Sequence, residues 1–253
     1  MKVIYFFLAI LILNFPIVFA DELLITLRDD DIILDGKWSH ATEWKKSSET
    51  IIKQDNQQQF ALRYAHNYEK IFVFIDVIND NSTNTLEDKS VLCFESKTNE
   101  NTSIVDKTTY CFEMIFNGTL VTLVKNTETS ELEYKKIDNS NNTLAMSGIS
   151  DQYDRYSKTS HISYEFQIPI DVIGRSDVYN FYVAVFDGET NKITSWPQNS
   201  EAQSFITNSE TWGQMISPDK SIPEFPIPIV VLMVLISIII VQFKTNSKLV
   251  IKS

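Results

Sequence analysis

An all-β fold, an antiparallel jelly-roll-like β-sandwich, is predicted for residues 21–221 by three observations. Short apolar runs alternate with a period of two, polar turn signals separate them, and no long pattern of period 3.6 occurs between Asp21 and Ser221. The clearest alternation runs from Gln58 to Asp80. Phe60, Leu62 and Tyr64 share one face, Ala61, Arg63 and Ala65 the other, and Asn67 to Lys70 form a polar break. Ile71 to Val77 is apolar on both faces apart from Asp76, and its β-branched and aromatic residues favour a central strand. The stretch reads as an antiparallel hairpin to which further strands are added.

The other elements follow in chain order. Leu23 to Arg28 reads as an edge strand ended by three aspartates, and Asp35-Gly36 marks a turn. Val91 to Glu95 and Tyr110 to Phe116 read as strands, the second joined to Thr119–Val124 through Asn117-Gly118. An Asn-Gly pair between apolar runs is a strong hairpin signal, because both turn positions favour positive φ. Residues 126–160 read as a long polar loop region with one short strand near Leu132–Lys136. Ile162 to Ile168 alternates, and Ile170 to Gly174 reads as one turn of helix. Val178 to Phe186, Ile193 to Trp196 and Trp212 to Ile216 complete the strands.

The chain ends have a different character. Residues 1–20 carry one early lysine, an apolar run and Ala20 before Asp21-Glu22, the layout of a secretory signal peptide; the alternative is an uncleaved anchor. Residues 222–243 form a linker and an apolar stretch close to the roughly 20 residues needed to cross a bilayer core. Lys244, Lys248 and Lys252 follow it, whereas Asp219 and Glu224 precede it. This asymmetry predicts a single-pass cell-membrane protein with an extracellular 21–221 domain and a cytoplasmic tail at 244–253.

Composition narrows the partners. Residues 21–221 hold 32 acidic and 18 basic side chains, a net charge of −14, which repels nucleic acid and tolerates cations. Four Asn-X-Ser/Thr sequons, at Asn81, Asn101, Asn117 and Asn141, fall in predicted loops or turns and are expected sites of glycosylation. If Val91–Glu95 pairs antiparallel with Tyr110–Met114, Leu92 and Phe94 face the core with Tyr110, Phe112 and Met114. Cys93, Cys111, Glu95 and Glu113 then share the outer face, where a cross-strand disulfide is expected; two ordinary thiols are the alternative.

Two resemblances emerge from these pieces. Ile33-Leu34-Asp35-Gly36 with Glu43-Trp44, Asp76 to Asp80 after the hairpin, and Glu87 to Val91 resemble the opening half of family 9 carbohydrate-binding modules and the related DOMON-like sandwiches. Tyr164 to Pro169, Phe181 to Phe186, Thr194-Ser195-Trp196-Pro197 and Trp212-Gly213 resemble their closing half. Together they cover roughly residues 27–217. Separately, Ser221-Ile222-Pro223-Glu224-Phe225-Pro226, followed by the apolar span and lysines, resembles the Pro-Glu-Phe anchors of archaeal surface proteins. The resemblances imply a tethered, non-catalytic module whose partner is a carbohydrate or another cell-envelope component.

Trp38, Trp44, Trp196 and Trp212 are the candidate ligand platforms, since an exposed indole offers a wide apolar face and a donor; packing beneath the sheet ends is the alternative. For calcium, which wants several oxygens, the candidate clusters are Asp29, Asp30, Asp31 and Asp35, and Asp76, Asp80, Glu87 and Asp88. DOMON-like relatives can carry haem or dock a protein partner. His40, His66 and His161 with Met114, Met146 and Met215 are the inventory for axial ligation, with no spacing that selects a pair. No nucleophile elbow, zinc-protease helix motif or phosphate-cradling glycine loop is present, so no catalytic residues are assigned.

Overall fold

A computed structural model describes residues 21–217, apart from 31, 55–57, 81, 83–86, 97–107, 126–133, 138–142 and 199–203. The predicted signal peptide, transmembrane segment and tail lie outside the described residues. Among those described, no helix is long and apolar enough to cross a membrane.

Among the described residues, fourteen strands form two sheets. They are β1 (Glu22–Leu24), β2 (Thr26–Leu27), β3 (Ser48–Gln54), β4 (Gln58–His66), β5 (Lys70–Asp76), β6 (Lys89–Ser96) and β7 (Thr109–Ile115). Then come β8 (Leu120–Lys125), β9 (Tyr134–Ile137), β10 (Leu144–Ile149), β11 (Ile162–Pro169), β12 (Val178–Asp187), β13 (Lys192–Trp196) and β14 (Gly213–Ile216). The larger sheet has the order β1-β14-β12-β6-β7-β8-β9, with β13 also on β12; the smaller has β10-β11-β5-β4-β2, with β3 also on β4. The expected β4–β5 hairpin is central to the smaller sheet, with Leu62 opposite Ile75 and Tyr64 opposite Val73. Phe60, Leu62, Ile71, Val73, Ile75, Tyr164 and Phe166 meet Leu92, Phe94, Phe112, Phe181 and Val183 from the other sheet in one continuous core. The single helical turn α1 (Ile170–Ile173) follows Pro169 and buries Ile170 and Ile173.

Four departures from the expected elements have physical causes. The predicted first edge strand divides: β1 runs parallel to β14 in the larger sheet, β2 parallel to β4 in the smaller, and buried Ile25 makes the crossing. A strand absent from the prediction, β10, lines the edge of the smaller sheet. Its Leu144, Met146 and Ile149 are exposed, so the inside–outside contrast that announces a strand is missing. The β7–β8 connection holds four residues (116–119) rather than two, because Met114 pairs with Leu120; Asn117 alone is left-handed there, at φ 52°.

The fourth concerns the outer faces, which are covered rather than solvated. Phe72 and Phe74 of β5 point away from the core and pack with Trp38, Trp44 and Ile32 beneath the chain segments before β3 and β11. On the larger sheet, Cys93 pairs with Cys111 as expected and the disulfide is formed. The bridge is nonetheless fully buried, because Trp212 and Tyr182 pack over it with Phe205 and Ile206 alongside. Glu95, placed with the cysteines on the outer face, is buried too and accepts from Thr109 Oγ1, Ser209 Oγ and Asn180 Nδ2.

The covering of the smaller sheet depends on close approach at Gly36, which has φ +85°. A Cβ there would lie 2.3 Å from the carbonyl carbon of Ser147 in β10, and the Gly36 carbonyl accepts from Ser163 Oγ at 2.7 Å. Gly36→Ala is therefore expected to destabilise the protein by about 2–4 kcal/mol, from the left-handed backbone plus the overlap, read as a lowered urea midpoint.

Candidate functional site

Register at one end of the sandwich gathers three carboxylates. β6 and β12 pair with Lys89 opposite Phe186, which sets Asp88 beside Asp187 on the larger sheet. The turn after β5, in which Asp80 N–H donates to the Val77 carbonyl at 3.0 Å, brings Asp80 across from the smaller sheet. One carboxylate oxygen from each of Asp80, Asp88 and Asp187 lies within 4.8 Å of the others. Asp88 Oδ1 accepts from Gly188 N–H at 2.8 Å, and a Cβ on Gly188 would lie 2.6 Å from that of Glu87, so the glycine permits the approach. Burial, joined by the charges of Asp88 and Asp187, pushes the Asp80 carboxyl upward. The Tyr164 hydroxyl, fully buried and without a hydrogen-bond partner among the described residues, is raised by burial and further by Asp88 and Asp80. The arrangement offers hard oxygen donors to a cation bridging the two sheets.

The sequence-predicted calcium set is therefore corrected in two places. Asp76 faces the outer side of the smaller sheet, where it contacts His161 Nε2, with Asp154 beside them. Glu87 is exposed and does not join the three aspartates. Asp187, which belongs to them, ends β12 about 100 residues further along the chain, so sequence proximity does not group it with Asp80 and Asp88. In the other acidic cluster Asp30 pairs with Lys46 at 2.7 Å, Asp35 accepts from Ser39 Oγ, and Asp31 lies outside the described residues.

The expectation of an exposed indole platform is not met. Trp38 and Trp44 are each 1% exposed, Trp196 8% and Trp212 7%. Trp38 meets Phe74 and Tyr156 edge-on, with the guanidinium groups of Arg63 and Arg155 over its ring at 5.1 and 5.6 Å. Trp44 stacks on Phe74 at 5.4 Å and Trp212 on Tyr182 at 5.8 Å, while Trp196 tilts against Phe181. The Trp44 indole N–H is consumed inside by Glu165 at 2.9 Å, that of Trp212 by Thr207. The indoles serve as covering and core because aromatic Phe72, Phe74 and Tyr182 leave apolar area that must be shielded.

Of the candidate histidines, His40 is exposed and His66 is buried. His161 is fully buried between Thr159, Ser150 and Asp76, and Met114 and Met215 are core residues, whereas Met146 is exposed on β10. Of the sequons, Asn117 is exposed on its turn; Asn81, Asn101 and Asn141 lie outside the described residues.

Sequence comparison finds no matching family model and no matching curated relative. Among solved structures, the chain is similar to a crystal structure of a protein from Bacteroides uniformis ATCC 8492 proposed to bind carbohydrate. The TM-score is 0.54 at 13% identity, covering 78% of this chain and 99% of that one. It is also similar to a family 9 carbohydrate-binding module from Caldicellulosiruptor kristjanssonii in complex with glucose, with a TM-score of 0.50 at 10% identity, covering 81% of this chain and 100% of that one.

Glu165 gives the domain a pH dependence of definite sign. It is fully buried and accepts from Asp35 N–H, Gly36 N–H and the Trp44 indole, yet burial outweighs these donors and pushes its carboxyl up to about 8. Burial also raises Glu43. Between the ordinary value of 4.5 and about 8 the unfolded chain releases the Glu165 proton while the folded chain keeps it, so stability is lost as pH rises through that window. Thermal melts are expected to give a higher Tm at pH 5 than at pH 8, and Glu165→Gln to flatten the slope. At any pH, Glu165→Ala orphans three N–H donors and is expected to cost about 3–5 kcal/mol.

The two solved structures share with this chain a β-sandwich fold that spans essentially the whole length of each of them, and at these identities the likeness extends to the fold alone.

Proposed function

We propose that this chain is a non-catalytic binding module for a carbohydrate or another cell-envelope ligand, presented on the cell surface. The observation that carries the reading is the fold: a glucose-bound family 9 module is matched over its full length. The sequence supports the setting, with a signal peptide at 1–20, the sandwich at 21–221, a Pro-Glu-Phe linker and transmembrane helix at 222–243 and a cytoplasmic tail at 244–253. Tethering keeps the module at high effective concentration beside the envelope, so that weak sugar affinity is useful.

With the four indoles covered, the exposed rings available for stacking among the described residues are Tyr68 and Tyr153. A glycan array probed with the full chain is expected to show binding that Tyr68→Ala or Tyr153→Ala reduces. A blank array removes the carbohydrate reading. The alternative is then a structural accessory subunit docking a protein partner, favoured by one observation: Leu144, Met146 and Ile149 lie exposed along the edge strand β10. Cross-linking on intact cells is the measurement that follows a blank array.

Calcium belongs to the proposal as a structural ion held by Asp80, Asp88 and Asp187, where it would neutralise buried charge and tie the sheets together. Calcium at about one hundred times its Kd is expected to raise Tm by about 5–10 °C over chelator. Asp88→Asn, which keeps an oxygen for the Gly188 N–H, should abolish the difference. Equal melting temperatures in calcium and chelator overturn the assignment.

A further inference from the structure

Asp76 ends β5, and His161 stands immediately before β11, the strand beside it; Ser163 of β11 pairs with Asp76. Asp154 comes from the connection between β10 and β11, which lies over the outer face of the smaller sheet. One donor atom from each lies within 4.8 Å of the others, and all three side chains are buried. The hydrogen bonding around them fixes which atoms point inward. His161 Nδ1 lies 2.7 Å from the Thr159 carbonyl, which can only accept, so Nδ1 carries the proton. Asp154 Oδ1 accepts from Tyr156 N–H and Ser157 N–H, both at 2.7 Å, which leaves Oδ2 directed at the ring, 3.7 Å from Nε2.

A neutral imidazole protonated at Nδ1 presents a lone pair at Nε2. That lone pair faces Asp76 Oδ1 in direct contact and Asp154 Oδ2, while Asp76 Oδ2, also buried, has no hydrogen-bond partner among the described residues. Three Lewis bases thus converge in a space sealed from water. A second proton on the ring would serve the Asp76 Oδ1 contact alone, and a further proton shared between the Asp76 and Asp154 carboxyls would be needed to relieve the opposed carboxylates. A divalent ion would satisfy all three groups at once and balance two carboxylates against its own charge.

We propose that Asp76, Asp154 and His161 form a structural site for a divalent first-row transition ion such as Zn2+. One nitrogen and two carboxylates suit such an ion, whereas the all-oxygen Asp80–Asp88–Asp187 group suits calcium. The Thr159 carbonyl plays the outer-shell part common to metal-binding histidines, holding the tautomer and the ring orientation. The ion staples the 150–161 connection to the sheet. That connection carries Arg155 and Tyr156, which close over Trp38, so the site secures the covering of the outer face. The assignment is independent of what the module binds.

The test uses the full chain, purified in detergent, stripped with chelator and titrated with Co2+. One equivalent is expected to give a visible d–d band that Zn2+ displaces and Ca2+ does not. His161→Gln should lose the band, and Asp187→Asn should keep it. Because His161→Gln could fail to fold, X-ray absorption of the zinc-loaded wild type provides a second reading, with one imidazole and two carboxylate ligands expected at about 2.0–2.2 Å. No stoichiometric band in the wild type, an unchanged band in folded His161→Gln, or a zinc spectrum without imidazole overturns the proposal.

Discussion

The smaller sheet keeps its shape because one buried carboxylate holds a long segment against its outer face. Glu165 projects from β11 away from the core and accepts hydrogen bonds from the Asp35 and Gly36 backbone and the Trp44 indole. Those three donors lie about 130 residues away in sequence, in a stretch with no strand of its own. Without the carboxylate, their N–H groups would be buried unpaired, at a cost comparable to the burial of an aromatic side chain. The Glu165 contacts decide where Trp38 and Trp44 lie. Arg63 then extends the same network, donating to the Trp44 carbonyl and to Glu49 while its guanidinium covers Trp38.

This anchoring answers a demand made by β5. Ile71, Val73 and Ile75 fill the space between the sheets, so Phe72 and Phe74 necessarily face outward, and a solvated outer face would expose two large rings. The larger sheet meets the same demand around Tyr182 and the Cys93–Cys111 bridge, using Trp212 and its flanking residues. Each sheet is therefore buried on two faces over part of its area. The disulfide closes the loop between β6 and β7 and sits inside a small second core, shielded from solvent reductants.

What was legible in the sequence follows from this arrangement. The β4–β5 hairpin, the β6–β7 pairing, the helical turn after Pro169 and the strands from Ile162 onward announced themselves, because each has apolar residues on a face that meets the main core. β10 did not, since an edge strand with Leu144 and Met146 exposed carries no such contrast. The division at Ile25 was hidden because both short strands are parallel to partners far along the chain, and no local pattern encodes that. The alternating Phe72 and Phe74 were the available signal that the outer face would be covered, and they bore directly on the fate of the tryptophans. At the candidate sites, Asp76, Asp80 and Asp88 stood out by proximity in sequence, whereas Asp187, Asp154 and Glu165 join them only through strand register and long connections.

The same end of β5 shows how a single strand can serve two chemistries. Asp76 is the last outward-facing residue, Val77 returns to the core, and Asp80 turns into the gap between the sheets. Three residues, 77–79, thus separate a nitrogen-containing cluster on the outer face from an oxygen-only cluster between the sheets. Both join parts of the chain that no strand pairing connects: the 150–161 covering to its sheet in one case, one sheet to the other in the second. Because the covered outer faces are occupied by the protein's own aromatics, a ligand of the proposed kind would meet the turns and edges of the sandwich rather than the faces of its sheets.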